Sequence, residues 1–414
     1  MKVIWLVNPY GPIEGENWRE YSFNQFGKYL SSQGFKVIWW TASFSHHFKK
    51  QRSQGWKDIE VNKNFKIRLV PTTSYKKNFG IGRLWKDLVF SKNAVDKFKK
   101  EKNPDIIIAN ENPMTMGFPA FFYAKKNNVP IIYDQMDIWP EFFVGVLKEP
   151  LKTIAKIILK PIYLRRRQIY KELDGSIALG KHYLEFMQKI APILREKPNA
   201  LVYNGIDVCE FRKYLLGETE HSKLKIEKKD GEIWCVFAGT LGPSYDIKTI
   251  IKTAEKFSKE GKENFKFIIA GSGPFEGDIL NAEKKLNNII YVGKLLPEQL
   301  IPIYGKCDIG LATYSAGSNV DMCDKFYDYL ASGLAVINSL TGEISEHIFN
   351  NNLGVNYLAG DMEDFIKALL RLEDFNILTK IKKNSMDMGM LFDKNIQNEK
   401  LLKVINSVLN VKKI

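Results

Sequence analysis

The sequence predicts an α/β protein made of two doubly wound domains in tandem, facing each other across a cleft. Three observations predict this. The chain has 414 residues, which is enough for two domains of ordinary size. Short apolar runs alternate with longer amphipathic runs, which is the pattern of a parallel sheet covered by helices on both faces. The alternation restarts after the charged segment 216–232, which reads as a linker or surface excursion. We therefore expect domains at 1–205 and 206–393.

The first domain is expected to contain six strands separated by five helices. The strand runs are Val3–Val7, Phe35–Trp40, Ile106–Ala109, Pro130–Tyr133, Gly175–Ala178 and Ala200–Tyr203. The helical runs are Trp18–Gln33, Trp85–Glu101, Met116–Lys126, Leu151–Leu173 and Tyr183–Ile190. The strand runs are short and apolar, whereas the helical runs place apolar residues at three- and four-residue spacing.

The second domain is expected to repeat this order with five strands. They are Ile233–Ala238, Phe265–Ala270, Ile289–Val292, Ile309–Leu311 and Ala335–Asn338. Helices such as Ile247–Glu260 and Asp324–Ala331 follow them. Ligands of open α/β sheets bind beyond the carboxyl ends of the strands, so the residues that follow each strand are the candidate sites.

Glycine-rich turns follow two strands of the second domain. Gly239, Thr240, Leu241 and Gly242 come after the first strand, and Gly271 and Gly273 come after the next. Glycines let backbone N–H groups approach an anion, and a following helix N-terminus favours negative charge. The alternative is a pair of tight turns that bind nothing.

A helix expected over Asp324–Ala331 carries Lys325 and Asp328 at its start, and Gly333 ends it. A lysine and a carboxylate at this position are suited to a diphosphate and a ribose. The alternative is a solvated ion pair between the two side chains, three residues apart.

In the first domain, the residues after the strands include Gly11, His46, His47 and Asp137. A neutral histidine can accept a proton from a hydroxyl group, although rim or core histidines are equally common. Arg19 precedes a helix near the Pro9–Gly11 loop, where it is placed for a phosphate-bearing acceptor or is simply a surface arginine.

The net charge of +14 is unevenly distributed. Residues 1–200 carry 34 Lys and Arg against 18 Asp and Glu, whereas the remaining 214 carry 27 against 29.

Part of the excess positive charge lies in residues 148–171, where apolar residues recur at near-helical spacing. Basic amphipathic helices of this kind lie on anionic membranes, and a core-packing helix with a solvated basic face is the alternative. The candidate membrane residues are Lys152, Lys156, Lys160, Arg165, Arg166 and Arg167. No recognised nucleic-acid-binding fold accompanies the charge, so we expect no nucleic-acid partner.

The order of motifs resembles family-4 retaining glycosyltransferases, in particular the bacterial surface-polysaccharide branch similar to N-acetylfucosamine transferase-like proteins. The resemblance runs through Phe-Ala-Gly-Thr-Leu-Gly, Ile-Ala-Gly-Ser-Gly-Pro, Tyr-Val-Gly-Lys and Asp-Lys-Phe-Tyr-Asp-Tyr-Leu-Ala-Ser-Gly in the second half, and through Asn8-Pro-Tyr-Gly and Asp137-Ile-Trp-Pro in the first. It implies the GT-B architecture of two Rossmann-like domains, with the acceptor on the first domain, the nucleotide sugar on the second, and a last helix at 394–414 returning to the first.

The resemblance also implies roles for residues. Asp328 matches the second carboxylate of the family's E-x7-E motif, whose first position is Val320 here. The implied donor-binding set is Gly239, Thr240, Leu241, Gly242, Gly271, Gly273, Gly293, Lys325, Asp328 and Glu343. The acceptor-side set is Gly11, Arg19, His46 and Asp137, and the expected catalytic residues are Asp137, His46 and Lys325.

The expected activity is transfer of a sugar, with retention, from a nucleotide-diphosphate donor such as a UDP-N-acetylated sugar to a glycan acceptor. We expect this acceptor to be linked to polyprenyl diphosphate. No D-x-D motif is present, so we expect neither a metal nor a cofactor. No signal peptide or spanning segment is evident, which suggests a cytoplasmic protein peripheral to the inner face of the membrane. A nucleotide-sugar epimerase and a non-catalytic membrane- or glycan-binding protein of the same fold are the alternatives. The oligomeric state stays open.

Overall fold

The computed structural model describes residues 1–16, 18–76, 80–145, 147–215, 226–318 and 320–411. It divides into two compact units. Unit 1 is Met1–Asn204 together with Asn395–Ile414, and unit 2 is Gly205–Lys394. Most of the expected linker 216–232 lies outside the described residues.

Unit 1 is built around one eight-stranded sheet and a small hairpin. Its strands are β1 (Val3–Val7), β2 (Lys36–Ala42), β3 (Phe44–Ser45), β4 (Lys50–Gln51), β5 (Lys57–Asn62), β6 (Phe65–Val70), β7 (Ile106–Asn110), β8 (Ile131–Gln135), β9 (Gly175–Ala178) and β10 (Asn199–Leu201). The large sheet has the order β10-β9-β8-β7-β1-β2-β6-β5, and all neighbours are parallel except β5 and β6. Strands β3 and β4 form the hairpin.

Helices cover both faces of this sheet. They are α1 (Ser22–Ser32), α2 (Ile81–Phe98), α3 (Met114–Lys126), α4 (Glu141–Gly145), α5 (Leu151–Glu172) and α6 (Lys181–Ile190), with a 3-10 turn at Pro192–Arg195. On one face Trp5, Trp40 and Phe98 form a buried aromatic cluster. On the other face Trp39 and Phe26 are buried. Each face therefore has its own apolar core.

Unit 2 contains a six-stranded parallel sheet. Its strands are β11 (Ile233–Ala238), β12 (Phe265–Ala270), β13 (Ile289–Gly293), β14 (Ile309–Ala312), β15 (Ala335–Asn338) and β16 (Gly354–Asn356), in the order β13-β12-β11-β14-β15-β16. Its helices are α7 (Val208–Leu215), α8 (Ile247–Lys259), α9 (Glu276–Glu283), α10 (Pro297–Lys306), α11 (Asp324–Ala331), α12 (Glu343–Asn351), α13 (Met362–Arg371) and α14 (Phe375–Gly389), with a 3-10 turn at Met390–Phe392.

The last helix, α15 (Lys394–Val411), belongs to unit 1 from Asn395 onward. Its Leu401, Ile405 and Val408 join the core that contains Trp39. None of the helices in the described part of the chain is long and apolar enough to span a bilayer.

Each large sheet has a switch point, where the strand order reverses direction. In unit 1 it lies between β1 and β7, and in unit 2 between β11 and β14. The loops after these strands separate there and leave room for a ligand.

Candidate functional site

A pocket of about 390 Å³ opens at the switch point of unit 1. The loops after β1 and β7 contribute Asn8, Gly11 and Asn112, and Arg83 comes from α2. The other lining residues are Tyr10, Pro12, Tyr21, Ser22, Phe23, Trp39, His46, His47, Asn110, Pro113, Met136, Asp137, Trp139 and Leu179. A volume of this size is enough for a sugar-sized ligand.

A network of charged side chains lies behind one wall of this pocket, which Tyr10 and Arg83 line. The Tyr10 hydroxyl donates to the Asp87 carboxylate at 2.8 Å and accepts from Arg83 Nε at 3.1 Å. Lys86 Nζ lies 3.1 Å from Asp87 Oδ1 and 4.1 Å from the centre of the Tyr10 ring. Arg83 also stacks on Trp139, with 4.7 Å between guanidinium carbon and ring centre. The hydrogen bond to Tyr10 and the stacking on Trp139 thus fix the Arg83 guanidinium beside the cavity.

Burial, together with the nearby cations, keeps His46 neutral. Desolvation, followed by the positive charges of Lys49, Arg83 and Lys86, lowers the pKa of His46 to about 4. Lys49 Nζ lies 3.3 Å from His46 Nδ1. An ammonium can only donate, so Nδ1 accepts and the network assigns the ring proton to Nε2. At neutral pH His46 is therefore uncharged, with Nδ1 in contact with the Tyr75 hydroxyl and Lys49 Nζ, and it can donate through Nε2; its expected role as a proton acceptor stays a prediction.

The pKa of Asp137 is shifted in the opposite direction, upward. It is accessible from the pocket, but the surrounding protein removes much of its hydration and raises its pKa to about 6, while Arg83 lowers it. Its backbone carbonyl accepts hydrogen bonds from Asn112 Nδ2 at 2.7 Å and from Gln135 Nε2. Asp137 is thus held by its main chain while its carboxylate remains available, with a pKa suited to accepting a proton near neutral pH.

Three of the four expected acceptor-side residues line this pocket, namely Gly11, His46 and Asp137. Arg19 is not among the lining residues, so the structure assigns the arginine of this pocket to Arg83 instead. Sequence reasoning missed Arg83, and it included Tyr10 in the loop after the first strand without singling it out. A signal was present in α2, where Arg83, Lys86, Asp87 and Phe90 repeat at helical spacing.

In unit 2, the ammonium of Lys325 lies in a cage of aromatic rings at the switch point. Its distances to the ring centres of Tyr245, Tyr314 and Phe237 are 4.0, 5.1 and 5.4 Å. A Cβ at Gly239 would stand 2.9 Å from Lys325 Nζ, so the ammonium rests directly on the glycine. Lys325 makes no ion pair with Asp328, the half-buried next-turn residue of α11. Among the described residues no carboxylate forms an ion pair with Lys325, so the fold holds a positive charge beside the end of β11.

The glycine turns pack against one another tightly. A Cβ at Gly271 would lie 1.8 Å from the Gly239 carbonyl oxygen, and one at Gly273 would lie 2.5 Å from that of Leu241. A side chain at either position would therefore separate the two loops. At the same edge of the sheet, the Gly293 carbonyl accepts a hydrogen bond from the Gly271 N–H at 2.8 Å.

Most N–H groups of these turns are used within the protein. Those of Gly239, Leu241, Gly242 and Gly271 donate to backbone carbonyls at 2.8–3.0 Å. The Leu241 side chain is also in the core, so its expected donor contact is wrong and it supports the loop. Within the described residues, the N–H groups of Thr240 and Gly273 donate to no protein acceptor. These two groups, with Lys325, are available to an anion.

Glu343 is placed differently from the expectation. It is the first residue of α12, its side chain is buried, and its carboxylate lies 3.4 Å from His347 Nε2. Its N–H donates to Asp321 Oδ1 at 3.0 Å. Asp321, which follows the position of the missing carboxylate at Val320, therefore caps a helix.

The basic helix α5 also differs in part from the expectation. Arg166 is 2% exposed and donates to the Trp139 carbonyl at 2.7 Å and to the Glu141 carboxylate. A buried side chain cannot meet a membrane, so the expectation is wrong for Arg166. The other five basic candidates are exposed or half-buried. The apolar residues of the repeat, Leu151, Ile154, Ile158 and Ile162, are exposed too, which contradicts the alternative that they pack in the core.

No group of three or more His, Cys, Asp or Glu side chains suited to a metal ion occurs among the described residues.

Comparison with known proteins agrees with this architecture. Residues 232–374 match the family model "Glycosyl transferases group 1". A search of curated proteins found no match. Solved structures match over almost the entire chain. Sucrose-phosphate synthase from Thermosynechococcus elongatus has a TM-score of 0.70 and 14% identity, covering 99% of this chain and 100% of its own.

Two further structures are similar. Anabaena Alr3699/HepE in complex with UDP has a TM-score of 0.66 and 13% identity, covering 98% of this chain and 100% of its own. WaaG, a glycosyltransferase involved in lipopolysaccharide biosynthesis, has a TM-score of 0.64 and 14% identity, covering 97% and 99%. The solved structures show the GT-B fold for this chain, and the family match covers residues 232–374 of unit 2.

Proposed function

We propose that this GT-B protein transfers a sugar, with retention and without a metal, from a nucleotide-diphosphate donor held by unit 2 to a glycan acceptor held by unit 1. The single observation that carries the proposal is the Lys325 ammonium, held by aromatic rings against Gly239 where the strand order of unit 2 reverses. A fixed positive charge at this place is suited to a diphosphate leaving group.

The donor contacts follow from this geometry. Lys325 and the N–H groups of Thr240 and Gly273 bind the diphosphate, and Asp328 is the candidate for the ribose. As the sugar–phosphate bond breaks, negative charge grows on the departing phosphate. Donors that are already in position stabilise that charge without rearranging. We propose UDP and an N-acetylated sugar, in keeping with the surface-polysaccharide branch of family 4; Alr3699/HepE, of similar fold, was solved with UDP.

The acceptor binds in the pocket of unit 1. Asp137 accepts the proton of the attacking hydroxyl, and His46 Nε2 donates a hydrogen bond to the acceptor. Arg83 and its neighbouring cations favour an acceptor that carries phosphate, such as a polyprenyl-diphosphate-linked glycan. A role in bacterial surface polysaccharide synthesis at the inner face of the cytoplasmic membrane would suit such a substrate, with the exposed basic residues of α5 contacting anionic lipid.

A panel of nucleotide sugars, tested with the Lys325→Ala variant, examines the proposal. Removing the ammonium should lower kcat for donor turnover by roughly 100-fold or more, as loss of one preorganised donor commonly does. Lys284→Ala, at an exposed lysine of the same unit, is the matched control and should behave like wild type. Isomerisation of the sugar without transfer would indicate an epimerase, and failure to bind any nucleotide would contradict the proposal.

A further inference from the structure

In the first three turns of α2 the charged side of the helix faces the protein and the apolar side faces outward. The side that faces the protein carries Lys86 and Asp87, which are both buried. The side that faces outward carries Ile81, Leu84, Trp85 and Leu88, at 86, 53, 58 and 44% exposure. These four residues follow the i, i+3, i+4, i+7 spacing of one helical face. We call them the α2 apolar face.

An apolar face of this kind is costly in water unless something covers it. Each large side chain that leaves water contributes on the order of 1.5–3 kcal/mol. Scattered apolar residues are normal on a surface, but a continuous helical stripe indicates a partner. Folding does not require the stripe, since the core beneath α2 is formed by Phe90, Ala94 and Phe98.

Trp139 connects α2 with the basic helix α5. Arg83 of α2 stacks on the Trp139 ring, and Arg166 of α5 donates to the Trp139 carbonyl. Phe143 of α4 contacts the Trp139 ring at 4.8 Å, and the exposed Phe142 lies beside Phe143. Helices α2, α4 and α5 are therefore neighbouring elements of unit 1, linked through Trp139.

The charge around these elements indicates what covers them. Residues 151–171 contain seven Lys and Arg and no carboxylate. On α2, exposed Lys92 follows the apolar face, and the one carboxylate within 81–92, Asp87, is buried. Apolar side chains bordered by cations complement an anionic phospholipid bilayer, whose interior takes the former and whose headgroups take the latter.

We propose that the α2 apolar face inserts into an anionic phospholipid bilayer as an anchor distinct from the cations of α5. The inner side of the same helix carries Arg83, so insertion would place the acceptor pocket next to the lipid headgroups. Only this last consequence rests on the proposed function; the lipid binding itself does not.

Flotation of the full-length protein with vesicles of phosphatidylglycerol and phosphatidylethanolamine tests the anchor. The variant Leu84→Ser/Trp85→Ser should bind these vesicles at least about tenfold more weakly, because two apolar side chains no longer enter the lipid. Phe375→Ser, at a 77% exposed residue of unit 2, is the matched control and should bind normally. The double variant should keep its thermal unfolding midpoint and its affinity for UDP.

A second variant separates the two anchors. Lys156→Gln/Lys160→Gln should weaken binding at low salt, and high salt should remove most of this difference. The defect of Leu84→Ser/Trp85→Ser should persist at high salt, because burial of apolar surface is not screened. Lipids brominated in their chains should quench part of the wild-type tryptophan emission, and Trp85→Phe should abolish that part.

Three outcomes would overturn the proposal. The first is unchanged vesicle binding by Leu84→Ser/Trp85→Ser. The second is quenching that does not depend on Trp85. The third is a lipid-free dimer that the double variant converts to a monomer, which would make the α2 apolar face a contact between copies of the chain. Loss of donor turnover in Lys325→Ala with normal vesicle binding would keep the two proposals separate.

Discussion

Asp137 and His46 lie on one pocket and have opposite pKa shifts. Loss of hydration raises the pKa of Asp137 to about 6, whereas loss of hydration and neighbouring cations lower that of His46 to about 4. Both shifts favour the uncharged form. At pH 7 Asp137 is largely ionised and able to accept a proton, while His46 is neutral and donates through Nε2. The two side chains thus differ in role although both can titrate.

This difference predicts the pH profile of transfer. Below pH 6 Asp137 becomes protonated, so kcat/KM should fall about tenfold for each further unit of pH. Asp137→Asn should lower kcat by roughly 100- to 10,000-fold and remove this acidic limb. His46→Gln retains a donor and should keep the limb, which makes it the matched control. An acidic limb that survives in Asp137→Asn would exclude Asp137 as the base.

At this scale the sequence predicted residues that follow strands and missed those within a helix. Gly11, His46 and Asp137 were predicted because the carboxyl ends of parallel strands define the site. Arg83 lies within α2, so its position depends on which side of that helix faces the sheet. The usual rule places the apolar stripe inward, and α2 does the reverse over its first turns. A rule based on apolar periodicity alone therefore places Arg83 in solvent.

Helix α5 combines two functions along its length. Its last turns hold Arg166, Ile169 and Tyr170 in the protein, and its first four turns carry exposed apolar and basic side chains. Pro161 lies within the helix and removes one intrahelical hydrogen bond without ending it. Arg166 thus belongs to the fold, and its neighbours Arg165 and Arg167 belong to the exposed surface.

Substitution of adjacent arginines should separate these functions. Arg166→Gln removes the ion pair with Glu141 and the hydrogen bond to Trp139, and should lower the free energy of unfolding by about 1–3 kcal/mol, reduced because Glu141 is partly exposed. Arg165→Gln should change it by less than about 0.5 kcal/mol but weaken vesicle binding. Chemical denaturation and flotation measure the two effects. Equal destabilisation by both variants would contradict this division.

The sequence did not predict strands β5 and β6. The antiparallel pair β5 (Lys57–Asn62) and β6 (Phe65–Val70) lies at the sheet edge, where β5 alternates charged and apolar residues. Such a strand has no continuous apolar run, because one of its faces meets water. The central strands β1, β7, β8 and β11 are buried on both faces, and apolar runs found them to within two residues.

At the scale of the whole molecule, unusual ionisation in the neutral range is concentrated in unit 1. Complete burial raises the pKa of Glu111 to about 7 and that of Asp134 to about 8. In unit 2, by contrast, the pKa of Asp308 is lowered despite burial, because Lys382 and Lys228 lie beside it. Unit 1 therefore carries carboxyl groups that folding keeps protonated, next to its excess of basic residues.

These groups predict that unit 1 loses stability as the pH rises from 6.5 to 8. In this range the folded state retains protons on Glu111 and Asp134 that the unfolded state has released, so the free energy of unfolding falls with pH. Integrating the two pKa values gives a loss of roughly 2 kcal/mol. His46 and Lys86, whose pKa values burial lowers to about 4 and about 8, have a smaller opposite effect in this range, and Asp137 titrates mostly below it. Hydrogen exchange should show faster global opening at β7 and β8 at pH 8, with little change at β11 and β12.

Asp134→Asn should remove most of this loss of stability, because its amide carries no proton to release. A loss of stability confined to unit 2, or unchanged in Asp134→Asn, would assign the effect to other groups.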